Sequence, residues 1–193
     1  MNNKDNHIFT SQEAAVAYSM SAERIFNAEY DFLNNNPAII PILVSLLFQS
    51  LEISIKHACI EAELFSETEA RSRKMRNGHG IKELAKFAVK RLGGTTYSPI
   101  VTAMTHFNEN KKSGKIISTM ICGEEFEETR NCYASRNLGY GQVVDGGFAL
   151  TNDISAWIDS VKQTATNLPK TINVLKQWKS SNSNSKCFAI WEN

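Results

Sequence analysis

Apolar residues recur at helical spacing through most of this chain, and the places where the pattern breaks divide it into a succession of helices. Thr10-Ser11-Gln12-Glu13 has the form of a helix start, a hydroxyl cap followed by a carboxylate in the first turn. Ala15, Ala22, Ile25, Phe26 and Leu33 then share one side, and that run is expected to end at Asn34-Asn35-Asn36. Pro37 and Pro41 stand near the next start, where a missing backbone N–H costs little. The helix they open reaches about Ala62, with Leu43, Leu47, Leu51, Ile55 and Ala58 on one face and Val44, Phe48 and Cys59 beside it. Its first half is apolar almost all round, which predicts a helix surrounded by other helices.

Residues 67–80 are charged and without clear period, so they read as a loop or a short exposed turn. Ile81, Leu84, Ala85, Ala88 and Leu92 make 81–92 a short amphipathic helix with Lys82, Lys86 and Lys90 at steps of four on its opposite side. Gly93-Gly94 ends it. Ser98-Pro99 begins a helix carrying Ile100, Met104 and Phe107, and 108–114 is a polar turn. Ile116, Ile117, Met120 and Ile121 resume a helical pattern that continues through 124–134, with a break at Gly123. Residues 142–150, around Asp145-Gly146-Gly147, resemble a small β-hairpin. Thr151 or Asn152 caps a helix with Ile154, Trp157, Ile158, Val161, Ala165 and Leu168, and Pro169 starts a last one through Trp178. The predicted fold class is all-α, an antiparallel helical bundle with that one hairpin as ornament. The predicted organisation is a helical domain over 1–179, then a flexible, Ser/Asn-rich linker from Ser180 and an apolar tail, Phe188 to Trp191, within 180–193.

Composition narrows the class. At 193 residues, 42% hydrophobic and 21% charged, the chain is long enough for one sizeable core and is neither disordered nor fibrous. Its net charge of +1 names no partner, but its distribution is uneven. Between Arg71 and Arg91 eight basic residues face one acid, Glu83, a local +7 that leaves −6 for the rest. Such a cluster is a footprint for phosphate or, equally, a solvated helix face. Cys59, Cys122, Cys132 and Cys187 lack the paired spacing of zinc ligands or a disulfide framework, so they read as small hydrophobes in a reducing compartment. No metal or other cofactor is expected. The polar N-terminus lacks a signal-peptide run, and the apolar stretch 37–51 is too short to span a bilayer, so the expectation is a cytoplasmic protein without a membrane role.

Three groups of residues are candidates for chemistry. Glu52 and Lys56 form either an ordinary intrahelical pair or a partly buried pair that polarises a site shared with a neighbouring helix. Gly78-His79-Gly80 lets the backbone turn tightly before the helix at 81, with His79 either packing there or serving as an acid–base or RNA-contacting group. In the segment 124–140, Arg130 has Glu127, three residues back, as its natural helical partner. Arg136 and Tyr140 leave the helix into a glycine-containing loop suited to phosphate or base contacts.

Ser50-Leu51-Glu52-Ile53-Ser54-Ile55-Lys56-His57-Ala58, followed by Gly78-His79-Gly80-Ile81-Lys82-Glu83-Leu84, resembles the HEPN domain superfamily over roughly residues 11–178. The resemblance implies a small helical bundle, usually a homodimer, in prokaryotic defence, stress or toxin–antitoxin settings, with a nucleotidyltransferase or antitoxin as partner. Catalytic members carry an Arg, four to six residues and a His, and cleave RNA without a metal. Arg130-Asn131 matches the start of that motif. The positions due for its histidine hold Ser135, Arg136 and Asn137, and no histidine follows His106. A literal match, Arg73 and His79 with five residues between, lies in the basic segment.

The expected function is therefore RNA or nucleotide binding by a divergent or non-catalytic HEPN-like protein, through Glu52, Lys56, Arg73, Arg76, Lys82, Lys86, Lys90, Arg136 and Tyr140. One alternative is a metal-independent endoribonuclease using Arg130, Asn131 and His79. Another is a protein-interaction module, adaptor or antitoxin-like, docking through Phe188 and Trp191.

Overall fold

The computed structural model describes residues 10–27, 39–136 and 154–184, and all regular structure among these residues is helical. The all-α bundle expected from the periodicity is what forms. Its helices are α1 (Ser11–Asn27), α2 (Ile39–Glu61), α3 (Glu67–Ala70), α4 (Ile81–Arg91), α5 (Ser98–Thr105), α6 (Ser113–Cys122), α7 (Glu127–Ala134), α8 (Ile154–Thr166) and α9 (Leu168–Asn184). The proposed hairpin at 142–150, Tyr140, and the apolar tail with Phe188 and Trp191 lie outside the described residues.

The central element is α2. It packs against α1, α4, α8 and α9, and Leu43, Leu47, Phe48, Leu51, Ile55 and Ala58 are fully enclosed. At 23 residues it exceeds the 37–51 stretch considered from sequence. By length and composition alone it could cross a membrane, with a mean hydropathy of 1.7, but 56% of that apolar window is buried inside the bundle. Enclosure by neighbouring helices explains the all-round apolarity without a bilayer. Ser50 donates to the Ala15 carbonyl at 2.7 Å, a buried bond that fixes α1 against α2. A ladder of rings, Tyr133 on Phe48, Phe48 against Phe126, and Phe126 on Trp157, ties α7 and α8 to the same core.

Two stretches depart from the expectation. Residues 67–80 are ordered and only partly exposed: α3 is followed by a 3₁₀ turn over Arg73–Gly78, and Ala70, Met75 and Gly78 are buried. A capping box starts this stretch, with Ser66 accepting from the Glu69 N–H and the Glu69 carboxylate accepting from the Ser66 N–H. At the other end, α9 continues through Ser180 to Asn184, where a linker was expected. Ser180 and Ser181 turn their hydroxyls back onto carbonyls four residues earlier, which satisfies the side chains inside the helix.

Candidate functional site

The polar site forms where α2, the 3₁₀ turn and α7 meet. On α2, Gln49, Glu52 and Lys56 fall at i, i+3 and i+7, so one stripe of an otherwise apolar helix is polar. Glu52 is only 2% exposed. A buried carboxylate is costly unless every lone pair is answered, and here donors from three elements answer it. Lys56 donates to Oε1 from one turn on. Oε2 accepts from the Tyr133 hydroxyl of α7 at 2.6 Å and faces His79 Nδ1 at 3.0 Å. The Tyr133 hydroxyl also lies 3.1 Å from the Gln49 amide oxygen. Burial first, and the Glu52 charge second, push the Tyr133 phenol far above its ordinary range, so it stays a neutral donor.

His79 reaches Glu52 because of the turn before it. Arg76 and Asn77 both adopt left-handed backbone, at φ +50° and +57°, and Gly78 follows at φ +93°. Two consecutive non-glycine residues held there cost roughly 1 kcal/mol or more each. A side chain at Gly78 would be strained, and its Cβ would lie 2.8 Å from the Lys56 ammonium. Across the ring, His79 Nε2 stands 2.9 Å from an Arg136 guanidinium nitrogen. A guanidinium donates and never accepts, so Nε2 is the bare nitrogen and Nδ1 carries the hydrogen toward Glu52. Both neighbours demand the same tautomer. The result is a line from buried Glu52, through half-buried His79, to exposed Arg136, with the edge of His79 set against Tyr133 at 88°.

The other sequence candidates separate into three kinds. Arg130 is buried and turned the opposite way, donating to the carbonyls of Thr119, Met120 and Gly123 at 3.3, 3.3 and 2.8 Å. It closes the C-terminal end of α6 and has no hydrogen bond to Glu52 or His79. Burial lowers its affinity for a proton, although a guanidinium retains its charge. The expected Arg130–Glu127 pairing is replaced, with Glu127 facing Lys82 at 3.5 Å. Asn131 accepts from Arg76 at 2.6 Å, and Arg76 also pairs with Glu83 at 3.2 Å. These contacts staple the 3₁₀ turn to α7 and α4, beside a cleft of about 130 Å³ that also touches Gly80 and Arg130. That volume is below the range of small-molecule pockets, roughly 300–1,000 Å³.

The positive segment is less free than its count implies. Arg71 pairs with Glu67, Arg91 with Glu69 at 2.8 Å, and Lys82 and Arg76 as above. Arg73, Lys74, Lys86 and Lys90 are exposed and without an ion-pair partner among the described residues. Sequence reasoning missed Tyr133 and Gln49. The signal for Gln49 was its place on the Glu52–Lys56 stripe; for Tyr133 it was a phenol two turns after Phe126 on a face bound for the core.

No protein-family model, no curated protein and no solved structure matches this chain.

Proposed function

We propose that the Glu52–His79–Arg136 cluster binds the phosphate of RNA or a nucleotide, in a divergent HEPN-like bundle. The observation that carries this reading is the hydrogen-bonded line from a buried carboxylate to an exposed guanidinium. Glu52 fixes the imidazole, the imidazole holds Arg136 at the surface, and Arg136 offers the planar donor fork suited to a phosphate. The left-handed turn before His79 is a further support, because backbone strain kept at one place argues for a role there. Exposed Arg73, Lys74, Lys86 and Lys90 add long-range attraction for a polyanion.

The test is the salt dependence of single-stranded RNA binding by the full-length protein. Each phosphate contact should contribute about 0.7 to the slope of log affinity against log salt. Arg136→Ala should therefore flatten the slope by about that amount and weaken binding at least tenfold. Lys82, Lys86 and Lys90 changed together to Glu should abolish binding. RNA affinity that ignores both salt and these changes would remove the proposal.

A second reading, metal-independent RNA cleavage, is favoured by one observation: His79 is backed by a carboxylate, and its hydrogen-free Nε2 is covered only by the exposed Arg136, which must swing aside before that nitrogen can act as a base. In that chemistry Nε2 would take the proton of a ribose 2′-hydroxyl as its oxygen attacks the adjacent phosphorus. The 5′-oxygen leaves with a proton from water, giving a 2′,3′-cyclic phosphate and a 5′-hydroxyl. Arg136 would carry the developing charge. Cleavage in the presence of chelator, lost in His79→Ala and retained in Arg130→Met, is the expected outcome. Cleavage that survives His79→Ala removes this second reading.

A further inference from the structure

We propose that the His79–Arg136 contact is a proton-gated latch, in which capture of a phosphate by Arg136 and protonation of His79 occur together. This rests on the phosphate-binding reading above and assigns regulation to that site.

The argument is one of donors and acceptors. In the resting arrangement Nε2 of His79 accepts from Arg136 at 2.9 Å, while Nδ1 faces Glu52 Oε2 at 3.0 Å. An imidazolium carries hydrogen on both nitrogens. Its Nε2–H would confront a guanidinium N–H, donor against donor and cation against cation, so the contact to Arg136 breaks. The contact to Glu52 does not break, because the carboxylate accepts from Nδ1–H in either state. Protonation therefore keeps the ring in place and releases only Arg136. That residue is exposed and sits two positions past the end of α7, just after Ser135, in left-handed backbone at φ +63°. Once released, its guanidinium and the new Nε2–H are two cationic donors beside each other at the surface, an arrangement that an anion satisfies. Conversely, an anion that draws Arg136 away uncovers Nε2 and favours its protonation, as reciprocal linkage requires.

The groups around His79 leave room for this exchange. From α2 it meets Glu52, which already pairs with Lys56. From α7 and its exit it meets Tyr133, a neutral phenol, and Arg136. On its own turn stands Arg76, paired with Glu83 of α4. The carboxylate in direct contact is that of Glu52, and it serves both protonation states.

Calorimetry of the full-length protein with a short 2′-O-methyl oligouridylate tests the latch. This probe keeps its phosphodiesters, has no 2′-hydroxyl to react, and does not titrate between about pH 5 and 8, the window of an imidazole. Measured in two buffers of different ionisation enthalpy, binding should be accompanied by net proton uptake near neutrality. Affinity should rise by up to about tenfold per pH unit on acidification. His79→Gln keeps an amide acceptor for Arg136 but cannot titrate, so uptake should vanish and affinity become flat with pH. Nitrogen NMR of the wild-type imidazole gives a reading without any variant: the ligand should convert His79 from the Nδ1–H tautomer to the doubly protonated ring. Binding without proton uptake, or an imidazole unchanged by ligand, overturns the latch and leaves the phosphate site standing. Uptake that persists in His79→Gln overturns it as well, by assigning the proton elsewhere. Absence of binding at every pH overturns both.

Discussion

Arg130 and Arg136 lie within and just beyond one short helix, and the bundle uses them in opposite ways. Arg130 points into the interior and spends its donors on three backbone carbonyls at the end of α6. Arg136, beyond the last turn, stays exposed and touches an imidazole whose other nitrogen is held by a buried carboxylate. One guanidinium holds a helix end; the other stands where a ligand can reach it. The comparison shows that a basic residue's promise depends on what its donors already satisfy, and an arginine with every near acceptor in the backbone has little to offer a phosphate.

Substitutions at the two ends should separate stability from binding. The largest stability effect is expected at Arg130. Arg130→Met keeps the volume but strips the α6 carbonyls of their donors, and should cost about 3 kcal/mol in chemical denaturation. The folded fraction should still bind RNA. Glu52→Gln comes next. It leaves Lys56 without its counter-charge and loosens His79, and because Lys56 is partly solvated the loss should be about 2 kcal/mol, with RNA affinity falling at the same time. Tyr133→Phe removes the 2.6 Å bond to Glu52 and should cost about 1 kcal/mol.

The same substitution has a pH signature. The folded protein raises the phenol's pKa, so the unfolded chain loses that proton first. The stabilisation is fully present below about pH 10, the ordinary tyrosine value, and is lost as pH rises above it. Tyr133→Phe should make that alkaline loss shallower, measured as the melting temperature against pH. The smallest stability effect is expected at Arg136→Gly, which relieves a left-handed residue and should change stability by no more than about 1 kcal/mol, upward. Yet it should weaken RNA binding more than any of the others.

The helices were legible because their apolar residues keep a 3.6-residue period, and the buried pair on α2 was legible because two charges interrupt an apolar run. His79 stood out through its flanking glycines, and Gly78 does accommodate both a left-handed turn and the close approach of Lys56. What local pattern could not reveal was which later side chains complete the site. Tyr133 and Arg136 reach it only through the docking of α7, a contact some eighty residues from Glu52 in sequence. Arg130 carried the more suggestive motif, yet the C-terminal carbonyls of α6 claim it, and nothing in a linear reading ranks those acceptors against a phosphate. The basic segment misled by its count, since several of its charges are engaged by Glu67, Glu69, Glu83 and Glu127.

The most direct measurement is the affinity of a short 2′-O-methyl oligouridylate for the wild type, Arg136→Gly and Arg130→Met, taken at one salt concentration on folded protein. The account predicts a loss of at least tenfold, or about 1.4 kcal/mol, for Arg136→Gly and less than about twofold for Arg130→Met. Unchanged affinity in Arg136→Gly, or a larger loss in Arg130→Met, would contradict it.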